Sequence, residues 1–218
     1  MHGTESDEST ARRLRASMVE RQIRGRGISD DGILEAMSEV PRHLFAEGAD
    51  IHDAYGDHPV AIGFGQTVSQ PYIAALLLRM ALPLAGRRVL EIGCGSGYLT
   101  ALLSRIGAFV TALDIIPELC VSTLSRLRTL GLDGRVHVIA ADGYSGWEMS
   151  SPYDAIIVSA SPPAVPPALA AQLATGGRLV LPVGEGVQQL LLIERTESGM
   201  QVTPGEYVRF VPLVHSKG

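Results

Sequence analysis

Apolar and polar positions change their spacing along the chain near residue 86. From there on, short apolar runs alternate with stretches of helical periodicity, which predicts strands at 88–92, 109–113, 136–140, 155–158 and 178–182. The helices predicted between them span 98–106, 117–130 and 166–174. Such alternation is typical of a parallel sheet that is covered by helices on both faces.

The first third of the chain has a helical pattern interrupted by loops. Helices are predicted at 11–25, 29–40 and 71–80, and Ser29 is the candidate N-cap of the second. The stretch 50–70 is rich in glycine and proline and is predicted to be a loop.

The C-terminal region predicts two strands, 189–195 and 207–214, with no helix between them. We therefore expect an antiparallel pair at the edge of the sheet. The predicted fold class is α/β, a Rossmann-like, doubly wound and mostly parallel sheet. The antiparallel C-terminal edge pair and an N-terminal helical addition complete it.

The length of 218 residues suits one domain of this class. Residues 1–10 are acidic, lack an apolar run and are expected to form a disordered tail. Residues 11–218 are expected to form a single domain, with 11–80 as its helical N-terminal part and 86–218 as its Rossmann-like core.

A glycine loop after the first predicted strand is the sharpest sign of a ligand site. Gly93, Gly95 and Gly97 stand at every second position between strand 88–92 and helix 98–106, so backbone N–H groups are open to a ligand. Dinucleotide enzymes have G-x-G-x-x-G instead, and the lysine of a phosphate-binding P-loop is absent. Glu91 precedes the loop; it either faces a ligand or caps the N–H groups of the loop.

Acidic residues also end the next two predicted strands. Asp114 stands where a carboxylate accepts hydrogen bonds from ribose hydroxyls, and Asp142, followed by Gly143, is suited to an adenine amino group. Each alone is an ordinary strand-end residue. Together with Glu91 and the glycine loop they predict a site for a nucleoside that carries positive charge.

Composition excludes several other classes of protein. Hydrophobic residues make up 46% of the chain, charged residues 19%, and the net charge is -5, without a dense Lys/Arg stripe, so nucleic acid is not an expected partner. No apolar run approaches the roughly 20 residues that span a bilayer. Cys94 and Cys120 form neither a metal motif nor a disulfide framework. We therefore expect a soluble, cytoplasmic protein without a metal or membrane contact.

These residues resemble the first motif of class I S-adenosylmethionine methyltransferases, E/D-x-G-x-G-x-G. Flanking segments are similar to the protein-L-isoaspartate O-methyltransferases, most specifically residues 65–71, Gly-Gln-Thr-Val-Ser-Gln-Pro, which match the family signature G-x-T-[IV]-S-[QA]-P. Further similar segments cover nearly the whole chain from about Ala11: 18–27, 40–45, 54–57, 142–147, 153–158, 181–184 and 209–213.

The resemblance implies methyl transfer from S-adenosyl-L-methionine to the carboxylate of L-isoaspartyl residues in damaged proteins, by a protein that we expect to be a monomer. It implies Ser69 as the active-site hydroxyl; from the residues alone, Ser69 would be the N-cap of helix 71–80. The cofactor-binding residues implied are Gln66, Thr67, Val68, Glu91, Gly93, Cys94, Gly95, Gly97, Asp114, Ile115, Asp142 and Gly143. The substrate-binding residues implied are Ser69, Ala160, Val183, Gly184, Val211, Pro212 and Leu213.

Some positions depart from the usual family pattern: Cys94, where Thr is common, Asp114, where Glu is common, Ala61, where Pro is common, and Ser159-Ala160-Ser161, where Thr-Ala-Ala is usual. An alternative function is therefore O-methylation of a dedicated peptide or small-molecule carboxylate. A nucleoside-binding protein without activity is the other alternative. A carboxylate acceptor is already ionised at neutral pH, so the chemistry needs alignment rather than a general base, and no catalytic dyad or triad is evident.

Overall fold

The protein is described by a computed structural model that covers residues 3–215, with side chains from residue 8 onward. Its strands are β1 (Val60–Gly63), β2 (Gln66–Val68), β3 (Arg88–Ile92), β4 (Phe109–Asp114), β5 (Val136–Ala140), β6 (Tyr153–Val158), β7 (Leu173–Val183), β8 (Gln188–Thr196) and β9 (Gly199–Val208). Its α-helices are α1 (Gly3–Met18), α2 (Asp31–Glu39), α3 (Ile51–Ala54), α4 (Pro71–Ala81), α5 (Tyr98–Ile106), α6 (Pro117–Thr129) and α7 (Pro167–Ala171).

The central sheet has seven strands in the order β5-β4-β3-β6-β7-β8-β9. Strands β3 to β7 are parallel to one another, whereas β8 pairs antiparallel with both β7 and β9. The predicted α/β class, the mostly parallel sheet and the antiparallel C-terminal edge are thereby confirmed. A separate two-stranded hairpin, β1 and β2, lies within the stretch that was predicted to be a loop.

Both faces of the central strands β3, β4 and β6 are buried. Along β3, Val89 belongs to one hydrophobic cluster and Leu90 to another, and the two clusters cover opposite faces because successive side chains of a strand point in opposite directions. The first cluster also contains Ile23, Ile33 and Met37 of the N-terminal region, all fully buried. The N-terminal helices therefore share a core with the sheet.

The N-terminal elements begin and end differently from the prediction. Helix α1 starts at Gly3, so residues 3–10, predicted to be a disordered tail, are helical, and Arg12 pairs with Glu8 one turn earlier at 2.9 Å; residues 1–2 lie outside the described range. The chain continues through a π-helical turn, Val19–Ile23. Ser29 is not the cap of α2: Asp30 is, and its Oδ1 accepts the amide of Ile33 at 3.0 Å.

The last strand was also predicted at the wrong place. Strand β9 spans Gly199–Val208, whereas 207–214 was predicted, because nearly all side chains of this edge strand are exposed and give it no apolar alternation. The apolar residues that follow cross the end of the sheet instead. There Ser161 donates its amide to Val211 O at 2.8 Å and accepts the amide of Leu213 at 2.9 Å.

No helix among residues 3–215 is both long and apolar enough to cross a membrane.

Candidate active site

The glycine loop lies at the carboxyl end of β3, between β4 and β6, where the strand order reverses. The amides of Gly93 and Cys94 both donate to Leu113 O, at 2.9 and 3.0 Å, which ties the loop to the end of β4. Gly97 is the N-cap of α5 and has a φ of 86°, and a Cβ there would lie 2.6 Å from the Thr123 side chain. The loop therefore packs directly on α6, and its shape depends on this glycine.

Glu91 is a carboxylate held out of contact with water. It is fully buried, and its Oε2 accepts a hydrogen bond from Thr100 Oγ1 at 2.6 Å. Its other oxygen, Oε1, has no hydrogen-bond partner among the described residues. Burial raises the pKa of Glu91, the Thr100 hydrogen bond opposes this shift and the charge of Asp114 adds to it, so that the pKa lies at about 7. An unpaired buried carboxylate of this kind favours a cationic group nearby.

Asp114 is positioned by the amides around it. Its Oδ2 accepts the amide of Gly95 at 2.8 Å and its Oδ1 that of Ile116 at 3.0 Å, so it joins the glycine loop to the start of α6. Burial raises the pKa of Asp114, and the amide hydrogen bonds partly oppose this. Each carboxylate oxygen has a further lone pair that can accept a hydroxyl.

Asp142 and Gly143 follow β5 at the same edge of the sheet. Asp142 Oδ1 accepts the amide of Tyr144 at 2.9 Å, while Oδ2 lies 2.5 Å from Nδ1 of His215. A Cβ on Gly143 would meet the Ile92 side chain at 2.2 Å, so only glycine allows this turn to pack against β3.

Three adjoining cavities run past these residues. A small central cavity of about 60 Å³ is lined by Glu91, Asp114 and Ser69. On one side it shares Gly93, Asp114 and Ala160 with a cavity of about 240 Å³, which we call the strand-end cavity.

On the other side the central cavity shares Thr67, Ser69, Ser159 and Val211 with a cavity of about 440 Å³, which we call the groove. Ser69 thus lies where the central cavity meets the groove.

Most of the predicted site residues line these cavities. The central cavity is lined by Gln66, Thr67, Val68, Ser69, Glu91, Gly93, Cys94, Gly95, Asp114, Ala160 and Val211. The strand-end cavity adds Ile115, Gly143, Pro212 and Leu213. Gly97, Asp142, Val183 and Gly184 line none of the three. The amide of Gly184 donates to Pro162 O at 3.0 Å, and its carbonyl accepts the hydroxyl of Ser161 at 2.9 Å, so that backbone is already engaged.

Ser69 does not cap α4. The N-cap of that helix is Gln70, without a side-chain capping bond, so the capping alternative for Ser69 is wrong. Ser69 instead follows β2 and lines both the central cavity and the groove.

Two residues beside the cavities were not predicted from sequence. Phe64, at the tip of the β1–β2 hairpin, is 60% exposed with φ of 53° and lines the strand-end cavity. Its position between Gly63 and Gly65 signals a turn, but not what the turn reaches. His215 contacts Asp142 and the ring of Tyr144, with ring centroids 5.0 Å apart. An isolated histidine in a C-terminal segment gives no sign of such a contact.

Known proteins resemble this chain over nearly its whole length. A sequence model of the protein-L-isoaspartate(D-aspartate) O-methyltransferase family matches residues 13–218. A protein-L-isoaspartate O-methyltransferase 2 of Marinobacter nauticus is 50% identical over 94% of both chains. A protein-L-isoaspartate O-methyltransferase of an Azoarcus species is 47% identical over 95% of this chain and 96% of its own.

A solved structure has the same fold. The Plasmodium falciparum β-aspartate methyltransferase in complex with S-adenosyl-L-homocysteine superposes with a TM-score of 0.80 at 28% identity, over 91% of this chain and 97% of its own. This chain belongs to the protein-L-isoaspartate(D-aspartate) O-methyltransferase family.

Proposed function

We propose that this chain transfers a methyl group from S-adenosyl-L-methionine to the carboxylate of L-isoaspartyl residues in damaged proteins or peptides. The single observation that carries the proposal is the position of Ser69. This hydroxyl lies where the cavity beside the glycine loop and the acidic strand ends meets an open groove. A donor on one side and a peptide on the other would then meet at Ser69.

The residues around the strand ends fit the proposed donor. Asp114 offers free lone pairs to ribose hydroxyls, and the apolar side chains of Ile115 and Leu213 line a slot for a base. The unpaired Oε1 of Glu91 favours the positively charged end of the molecule. When bound, the donor supplies a methyl group on a positively charged sulfur.

The groove fits an extended peptide better than a small molecule. It is open, has a volume of about 440 Å³ and is lined by Ile73, Val187 and Phe210 together with the polar side chains of Ser69 and Gln70. A small-molecule enzyme would instead need an enclosed apolar pocket over the donor.

The chemistry demanded of the chain is alignment and exclusion of water. The acceptor carboxylate is already ionised at neutral pH, so no side chain has to remove a proton from it. The Ser69 hydroxyl would donate to one acceptor oxygen and leave the other directed at the methyl group. The walls of the central cavity, including Leu77 and Tyr98, keep water away from the two reacting groups.

The proposal is tested with labelled S-adenosyl-L-methionine and two peptides that differ only in L-isoaspartate or L-aspartate at one position. We expect base-labile label on the isoaspartyl peptide alone. The variant Ser69→Ala should lower kcat/KM about 10- to 100-fold, the loss expected for one hydrogen bond to a charged group. It should still bind S-adenosyl-L-homocysteine.

Ser125→Ala, at an exposed position of α6, serves as the control and should keep full activity. Donor binding without transfer to either peptide would favour the alternative of a dedicated substrate. Absence of donor binding would overturn methyl transfer altogether.

The setting of the enzyme is part of the same proposal. Cys94 and Cys120 are both buried free thiols, which agrees with a reducing, cytoplasmic location. All residues proposed to act belong to one chain, so a monomer would contain the complete site. The core shared by the N-terminal helices and the sheet supports residues 11–218 as one methyltransferase domain.

A further inference from the structure

The groove beyond Ser69 has a single charged side chain among the residues that line it, Arg209. The other lining residues are apolar or carry neutral polar groups, such as Gln70 and Tyr207. A guanidinium therefore sets the charge of the surface on which the proposed peptide lies.

Neighbouring charged groups have partners, whereas the Arg209 side chain has none among the residues that the structure describes. Glu206 accepts a hydrogen bond from the Tyr72 hydroxyl at 2.7 Å. Asp57 contacts Arg26 at 3.4 Å and accepts a hydrogen bond from Gln70 at 2.7 Å. No carboxylate among the described residues lies within 4.0 Å of the exposed Arg209 guanidinium.

The backbone on both sides of Arg209 is anchored. Val208 is buried and pairs with Gln188 across β8 and β9. The amide of Phe210 donates to Gln188 Oε1 at 2.7 Å, and its carbonyl accepts from Gln188 Nε2 at 3.2 Å. On this chain, only the side chain of Arg209 has to be ordered when a partner binds, because the backbone is already fixed.

We infer that Arg209 is a specificity-determining residue that favours isoaspartyl peptides with an acidic side chain near the damaged residue. This inference rests on the proposed function and specifies which isoaspartyl peptides the enzyme would prefer. Because Arg209 is exposed, its partner is a side chain at the open face of the groove. The acceptor carboxylate belongs at Ser69, where the groove meets the central cavity.

The test uses three isoaspartyl peptides that are identical except two places before and two places after the isoaspartate. Both positions are Glu in the first peptide, Gln in the second and Lys in the third. At low salt we expect the wild-type KM to be about two- to fivefold lower for the Glu peptide than for the Gln peptide, the range of an exposed ion pair, with kcat unchanged. Higher salt should reduce the difference.

The variant Arg209→Gln should lose the preference, and Arg209→Glu should reverse it in favour of the Lys peptide. Arg13→Gln, an exposed arginine on α1 that lines none of the three cavities, should keep the wild-type preference. A variant that is merely damaged would lower the rates for all three peptides alike.

Two negative results have different meanings. Equal wild-type KM values for the three peptides, or a preference that survives in Arg209→Gln, would overturn the role of Arg209 alone. No methylation of any isoaspartyl peptide by the wild type would overturn the proposed function and this inference with it.

Discussion

Glu91 links the protonation of this protein to its stability. In the unfolded chain its pKa is the ordinary 4.5, whereas burial raises the pKa of Glu91 to about 7 in the folded protein. Between about pH 4.5 and pH 7, Glu91 in the folded protein therefore still holds a proton that the unfolded chain has released. The stabilisation that this proton provides is complete below about pH 4.5 and is lost as the pH rises through about 7.

The variant Glu91→Gln should remove this dependence, because the amide does not titrate and its oxygen can still accept from Thr100. In the ligand-free protein, the free energy of unfolding of the wild type should fall relative to the variant by roughly 3 kcal/mol between pH 4.5 and pH 8. Urea unfolding at several pH values measures it. Glu148→Gln, at an exposed position, is the control and should follow the wild type. Parallel curves for wild type and Glu91→Gln would contradict the prediction.

The sequence pattern located some site residues but not others. It located Asp114 and Asp142 at the same edge of the sheet, because the carboxyl ends of parallel strands lie side by side. The amide of Ala141, which precedes Asp142, indeed donates to Asp114 O at 2.9 Å. Phe64 and His215 could not be placed. Each reaches the strand ends from a segment distant in sequence, and neither carries a local pattern that indicates the contact.

At the scale of elements, the glycine loop and α6 depend on one close approach. Gly97 has positive φ, and a Cβ there would lie 2.6 Å from Thr123. Thr123 itself is fully buried and its Oγ1 donates to Gly95 O at 3.0 Å. A side chain at position 97 would therefore displace the loop that the donor is proposed to contact.

We expect Gly97→Ala to weaken S-adenosyl-L-homocysteine binding at least tenfold and to destabilise the protein by about 2 kcal/mol or more. Gly131→Ala is a comparable control, because its φ of 67° also lies in the left-handed region while nothing lies within 4 Å of the added Cβ. It should cost about 1–2 kcal/mol and leave binding unchanged. Calorimetric titration and urea unfolding separate the two effects. Equal binding by both variants would show that the Thr123 contact is unimportant.

Elements at the centre of the sheet were predicted well from the sequence. Strand β3 has its predicted bounds, β4 ends one residue later than predicted, and both strands are almost entirely buried. Continuous apolar runs between glycine and proline mark such elements clearly. Strand β9 and the hairpin β1–β2 were missed because they are short or exposed. Their pairing is decided by neighbouring strands rather than by their own sequence pattern.

At the scale of the whole molecule, the N-terminal helices and the sheet form one packing unit. Fully buried Ile23, Ile28 and Met37 lie in the same hydrophobic cluster as Val110 and Ile157 of the sheet. Removing either part would expose the apolar face of the other. We therefore expect the N-terminal region and the sheet to unfold together.

Two spectroscopic probes can test this expectation, since they report on different parts of the molecule. The single tryptophan, Trp147, is partly buried and packs against the cluster on the far face of the sheet. Far-ultraviolet circular dichroism is instead sensitive to helices, including α1 and α2. Thermal unfolding should give the same midpoint by Trp147 fluorescence and by circular dichroism. A circular dichroism transition that precedes the fluorescence transition would mean that the N-terminal helices form a separate unit.

S-adenosyl-L-homocysteine should then shift both transitions equally. At about 100 times its dissociation constant, a ligand that binds only the folded state adds about 2.7 kcal/mol to the free energy of unfolding. For a chain of this size that corresponds to about 5–10 °C. Adenosine at the same concentration is the comparison, because it lacks the part of the ligand proposed to lie near Glu91 and should shift the midpoint less. If the ligand stabilised only the fluorescence transition, the site would be coupled to the sheet and not to the N-terminal helices.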